Sequence, residues 1–181
     1  MLFLVASLIS TTVFHAFIMT NKIVLVLVSL WWGWTALIDF AVVPTVFSVI
    51  NDFFNAGELG ISLFTKFNLL EVVLSSLLIA VLSFHSKKTG KGIIQLALAC
   101  SAWIIVMFYF TYLTPKISSL ATLWKQAELV NKMGIAGIND IQQEHQFYHR
   151  IYVGLDSLKL LILSFVLGIS FFRKENDLGK A

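Results

Sequence analysis

Four ionisable side chains, Asp39, Glu71, Asp156 and Lys159, stand inside otherwise apolar runs of this sequence. A charge surrounded by hydrocarbon is costly. Such residues therefore face a bundle interior or a wet cavity, where they pair with one another or line a route for ions and solutes. Asp156 and Lys159 are three residues apart and share one helix face. Two outcomes are open to such a set. In one, Lys159 pairs with Glu71 or Asp156 and the cluster locks the bundle. In the other, three acids outweigh one amine and form a site for a solute, a proton or a cation.

Composition decides what must hold these residues. Of 181 residues 58% are hydrophobic and 13% charged, and the mean hydropathy is +0.86. A soluble domain carries about 25% charged residues, so an ordinary soluble enzyme and a disordered segment are both excluded. A helix needs roughly 20 apolar residues to span a bilayer. Apolar stretches at 23–50, 67–84, 92–113 and 151–172 meet that length, and none alternates as a strand would. The expected fold is an all-α integral membrane protein, a four-helix transmembrane bundle forming one domain in the lipid bilayer. Residues 1–18 are also apolar but lack the positive start of a signal peptide. They are either a fifth helix or a misassigned leader, with Met19 as the natural start.

On these spans the polar residues share a depth. At about 1.5 Å per residue, Asp39 stands roughly 25 Å from Lys22, and Glu71 about 21 Å from His85. Asp156 and Lys159 lie about 24 and 20 Å from Phe172, and Tyr109 about 25 Å from Gly92. Three acids, an amine and a phenol from four helices are thus expected in one belt.

Orientation follows from the basic residues near span ends. Lys87, Lys88 and Lys91 crowd one short turn, Lys22 precedes the first span, and Arg173, Lys174 and Lys180 follow the fourth. Lys66, Lys116, Lys125, Lys132 and Arg150 are spread over longer connections. The expectation is a plasma (inner) membrane protein with its C-terminus cytoplasmic and the belt in the outer leaflet. The scattered net charge of +3 forms no nucleic-acid stripe. Cys100 is the single cysteine, set in an apolar run as a small hydrophobe.

The outward connections differ. Residues 51–66 carry Gly57 and Gly60, read as breakers. Residues 115–148 read as an extracytoplasmic helical hairpin. Its amphipathic face holds Ile117, Leu120, Leu123, Trp124, Ala127, Val130 and Met133, Gly134 and Gly137 break it, and Asp140 caps its second arm. That face could bind a protein partner, making the chain a scaffold or accessory subunit, or a homo-oligomer. A weak internal echo also runs through the chain: Pro44 and Pro115 close spans one and three, and Glu71 and Asp156 enter with spans two and four.

Histidines offer two further chemistries. His145 and His149 are four apart, and with Glu144 they would give a metal ion two imidazoles and a carboxylate. A haem would have only His149 or His15 as axial ligands, because no two histidines sit mid-span on clear helices; His85 ends a span. No cofactor is otherwise expected, and no nucleophile elbow, phosphate loop or metalloprotease motif is present. Trp31, Trp32 and Trp34 read as interfacial anchors, and Gly33 with Ala36 as a site of close helix approach.

The run Trp32-Gly33-Trp34, then Pro44 and Phe47, Gly60 and Leu63-Phe64, resembles the transmembrane protein 205-like family, whose bacterial relatives form a domain of unknown function. Pro115 before an amphipathic helix, and His149-Arg150 followed by Asp156, are similar to that family's later pattern, although Asn is more usual where Asp156 stands. The resemblance covers roughly 22–172. It implies four helices with both ends cytoplasmic, and animal members carry a suggested link to metal-drug export or secretion. In general shape the chain is also similar to small four-helix copper-resistance and tetrapyrrole-oxidising membrane proteins.

Overall fold

The computed structural model describes residues 21–85, 90–131 and 138–178, and the segment 1–18, with His15 and the choice between helix and leader, lies outside them, as do Met133, Gly134 and Gly137. Four long helices account for nearly all of it: α1 (Asn21–Val49), α2 (Phe53–His85), α3 (Gly90–Phe108, Tyr109–Leu113 and Thr114–Asn131) and α4 (Ile138–Leu178). Each is long and apolar enough to cross a membrane. Backbone N–H and C=O groups in hydrocarbon must be satisfied within the segment, and a continuous helix does so. The outside is apolar and the inside partly charged: Phe84 is 88% exposed, while Glu71 and Lys159 are wholly buried. This is the inverse of a soluble protein. The chain is an all-α membrane bundle.

Each helix turns one stripe inward at spacings of three and four. On α1 the stripe is Val24, Val28, Trp31 and Thr35, and on α2 Glu71, Ser75, Leu78 and Leu82. On α3 it runs from Gln95 through Ala99, Ala102, Val106 and Tyr109 to Leu113, and on α4 through Tyr152, Asp156, Lys159, Leu163 and Val166. Such spacing keeps a seam facing its neighbours along a helix. At the Gly90 end the seams are apolar and form one core, with Gln95 donating to Ser170 Oγ at 2.8 Å across it. Towards Pro44 and Pro115 the same stripes become polar, and the functional candidates lie on them.

Three expectations are corrected. Gly57 and Gly60 lie inside α2, which begins at Phe53 because Asp52 caps it, its Oδ1 accepting from the Asn55 N–H at 2.9 Å. Asp140 occupies the first turn of α4, which starts at Ile138, where a carboxylate meets the positive end of the helix dipole. Gly33 makes no close approach, since a Cβ there would meet nothing within 4 Å. The face read on 117–130 is also divided. Ile117 and Leu120 are buried in the bundle, whereas Leu123 and Val130 are exposed.

Among the described residues two π turns interrupt the helices, at Ile38–Val42 in α1 and Tyr109–Leu113 in α3. Each precedes a proline by two residues. Pro44 and Pro115 lack an N–H, and their rings would strike the carbonyls of Phe40 and Thr111 in a regular helix. A widened turn relieves that clash, with Val43 N–H bonding to Ile38 O and Thr114 N–H to Tyr109 O. Beyond its π turn, Val43–Val49 packs on α2, and no Cα of 38–49 lies within 8 Å of α3 or α4 among the described residues.

Candidate functional site

Glu71 is the centre of the buried network. Its Oε1 accepts from Lys159 Nζ at 2.6 Å, from Trp31 Nε1 at 2.7 Å and from Thr35 Oγ1 at 3.1 Å. Its Oε2 is buried with no hydrogen-bond partner among the described residues. Lys159 also reaches Asp156, one turn earlier on α4. Its ammonium lies 5.2 Å from the ring centroid of Tyr109 and 5.9 Å from that of Phe67, so aromatic faces meet the charge where no oxygen does. Glu71, Lys159 and Asp156 thus form a continuous chain from α2 to α4, joined to α1 through Trp31 and Thr35. Asp39, from α1, lines the same cavity as Asp156. Three carboxyls against one ammonium leave surplus negative charge in hydrocarbon, which a proton on one of the acids lowers.

The belt expected from the spacing therefore assembles, with one change of role. Tyr109 stacks on Tyr152, centroids 4.4 Å apart, and its hydroxyl donates to the Tyr152 carbonyl at 3.3 Å. It offers Lys159 a ring, not a hydroxyl. A second polar layer lies beside it: Asn68 Nδ2 donates to Thr114 Oγ1 at 2.7 Å, and Tyr152 OH donates to Asn68 Oδ1 at 3.2 Å. Charge singles out neither Asn68 nor Tyr152, although both fall on the inward stripes. Trp31 is likewise no interfacial anchor. It is fully buried on Glu71, while Trp32 donates to Ser164 Oγ at 3.0 Å and Trp34 is exposed.

A cavity of about 780 Å³ opens on this network. Asp39 and Asp156 line it, Phe40, Phe47, Phe54, Phe64 and Trp124 supply apolar wall, and Lys125, Glu58, His145, His149 and Arg150 lie along it. Glu71 and Lys159 are not among the lining residues, so the two aspartates are the part of the network that a molecule in the cavity would meet. Lys125 is paired with Glu58.

The histidines and Glu144 do not come together as ligands. The His145 and His149 rings are parallel with centroids 6.3 Å apart, and Trp124 packs on His145. Glu144 is drawn to Lys116 at 2.9 Å. Among the described residues no three His, Cys, Asp or Glu side chains form a metal-ligand group. The physical reason is angular: on a helix Glu144 lies about 100° round from His145.

Residues 26–125 match a family described as a domain of unknown function (DUF4149). That stretch holds Asp39, Glu71 and Tyr109, while Asp156 and Lys159 lie beyond it. No curated protein and no solved structure matches the chain. The match spans more than half of the sequence, and the chain belongs to the DUF4149 family.

Proposed function

We propose that this membrane bundle handles a small solute or cation, which enters the 780 Å³ cavity and meets Asp39 and Asp156. The observation that carries this reading is the division of labour among the acids. Glu71 is enclosed by Lys159, Trp31 and Thr35 away from the cavity, whereas Asp39, and Asp156 beside its pairing with Lys159, line open space. A cluster built only to lock helices together has no need of carboxyls on a cavity wall. Lys159 holds the set in place and His149 stands along the approach. Basic residues around 86–91 and after 172 support a cytoplasmic C-terminus in the plasma (inner) membrane, with the cavity in the outer half. The narrower kinship with transmembrane protein 205-like proteins rests on Trp32-Gly33-Trp34, Pro44 and His149-Arg150, and belongs to this proposal.

Gly57 gives the test. It lines the cavity, and a Cβ added to it meets nothing within 4 Å, so Gly57→Leu starts a side chain from open space on the cavity wall. Purified protein in lipid nanodiscs is titrated with a panel of neutral and charged aromatic solutes. Binding to the wild type that falls at least tenfold in Gly57→Leu, with an unchanged thermal midpoint, is the expected result. No binding by any member of the panel, or binding indifferent to Gly57→Leu, would overturn the reading.

A further inference from the structure

The chemistry of the cavity narrows the occupant further, on the basis that the cavity handles a solute or cation at all. An inorganic divalent cation needs six or more oxygen ligands, or several retained waters. The cavity lining offers the Asp39 and Asp156 carboxyls, with Glu58 held by Lys125 and scattered hydroxyls such as Ser62 and Thr122, against walls of Phe40, Phe47, Phe54, Phe64 and Trp124. Such walls suit an apolar body, and aromatic faces attract a cationic head. Access agrees. The cavity lies between 38–49 of α1 and Val153, Ser157 and Leu160 of α4, helices whose Cα atoms stay more than 8 Å apart there. Phe40, Phe47 and Val153 at its edges are exposed and apolar, a rim that suits a lipophilic molecule and not a hydrated ion. The exposed Arg150 and the two histidines along the other approach disfavour a bare cation.

We infer that the cavity takes an amphiphilic organic monocation, whose charged head replaces a proton held by Asp39 or Asp156. The head and the proton compete for the same carboxylate oxygens. One positive charge enters and one proton leaves to bulk water, so the charge held at the site is equal before and after. That equality matters because an added net charge in hydrocarbon is strongly disfavoured. The groups facing the two aspartates are Glu71 from α2, the Tyr109 ring from α3, and Lys159 and Tyr152 from α4, and of these Glu71 and Lys159 neutralise each other. His145, His149, Arg150, Lys125 and Glu58 lie along the same cavity.

The probe is tetraphenylphosphonium, with triphenylphosphine oxide as its neutral counterpart, titrated into the protein in nanodiscs between pH 6 and 8. A pH indicator in weak buffer reports protons. Expected are tighter phosphonium binding by roughly tenfold per pH unit as protons become scarce, and release of about one proton per cation. Asp39→Asn, which cannot ionise, is expected to weaken binding, remove the pH slope and release no proton, while Asp39→Glu restores all three. Phosphonium binding without proton release overturns the inference, as does a slope that survives Asp39→Asn but vanishes in His145→Gln/His149→Gln. Equal binding of the neutral oxide, lost on Gly57→Leu, overturns it while leaving the solute-handling reading intact. Failure of both probes, together with the wider panel, removes both.

Discussion

Glu71 and Lys159 face each other at 2.6 Å with both side chains wholly excluded from solvent. Two isolated charges at this depth would each cost several kcal/mol, and together they offset most of that cost. Removing one partner is far worse than removing both. Lys159→Met leaves Glu71 and Asp156 without their cation, and a loss of about 3–5 kcal/mol is expected. The double variant Lys159→Met/Glu71→Gln restores charge balance at Glu71 and is expected to recover part of that loss. Unfolding in mixed micelles measures both. A double variant as unstable as Lys159→Met alone would mean that the pair with Asp156 dominates.

Trp31 adds a donor to the same oxygen at 2.7 Å. Trp31→Phe keeps most of the ring volume and removes the N–H, at an expected cost of about 1.5–3 kcal/mol for a hydrogen bond to a charged group. Trp34, exposed on the next turn of the helix surface, is the control, and Trp34→Phe is expected to cost below about 0.5 kcal/mol. The same unfolding measurement separates the two. Equal costs would show that bulk, not the indole donor, is what Trp31 supplies.

The belt is legible in the sequence because ionisable residues in apolar runs have few places to go. Counting along ideal helices puts Asp39, Glu71, Tyr109, Asp156 and Lys159 at one level; the structure brings the last four into contact and sets Asp39 on the cavity that Asp156 also lines. Trp31 is easily misread because an indole also suits the membrane interface. Its place on the stripe with Val24, Val28 and Thr35 is the available signal, since Trp32 and Trp34 lie off it. Gly57 and Gly60 read as breakers by their cost in water, but apolar surroundings reward a continued helix. The π turns are not legible. Pro44 and Pro115 announce a disturbance, yet whether the backbone kinks, ends or widens depends on packing that no local pattern records.

Asn68 joins α2 to Thr114 of α3 and Tyr152 of α4, and this bridge predicts a coupling between two substitutions. Thr114→Val removes an acceptor from a buried amide, costing about 1–2 kcal/mol in an otherwise native chain. In an Asn68→Leu background the partner is already gone, so Thr114→Val is expected to cost close to nothing more. A double-mutant cycle reads the difference. Additive effects would show that the 2.7 Å bond contributes no stability of its own.

The π turn at Ile38–Val42 sets where the cavity wall stands, and Pro44 is the reason for the turn. Pro44→Ala supplies an N–H that can bond to Phe40 O and removes the ring clash, so a regular α-helix becomes available. Its stability is expected to be unchanged or higher, because an interior proline costs a helix up to ~3 kcal/mol. Losing the extra residue of the wide turn rotates the C-terminal part of α1 by about 100° relative to its N-terminal part. Residues 21–37 are held through Trp31 and Thr35 on Glu71, so the part that turns is 43–49. Val43 and Phe47 then leave the cavity wall that they now line. Pro44→Ala is therefore expected to unfold at the same or a higher temperature than the parent while binding tetraphenylphosphonium at least tenfold more weakly. A variant that gains stability and binds as before would show that the wide turn relieves strain and positions nothing.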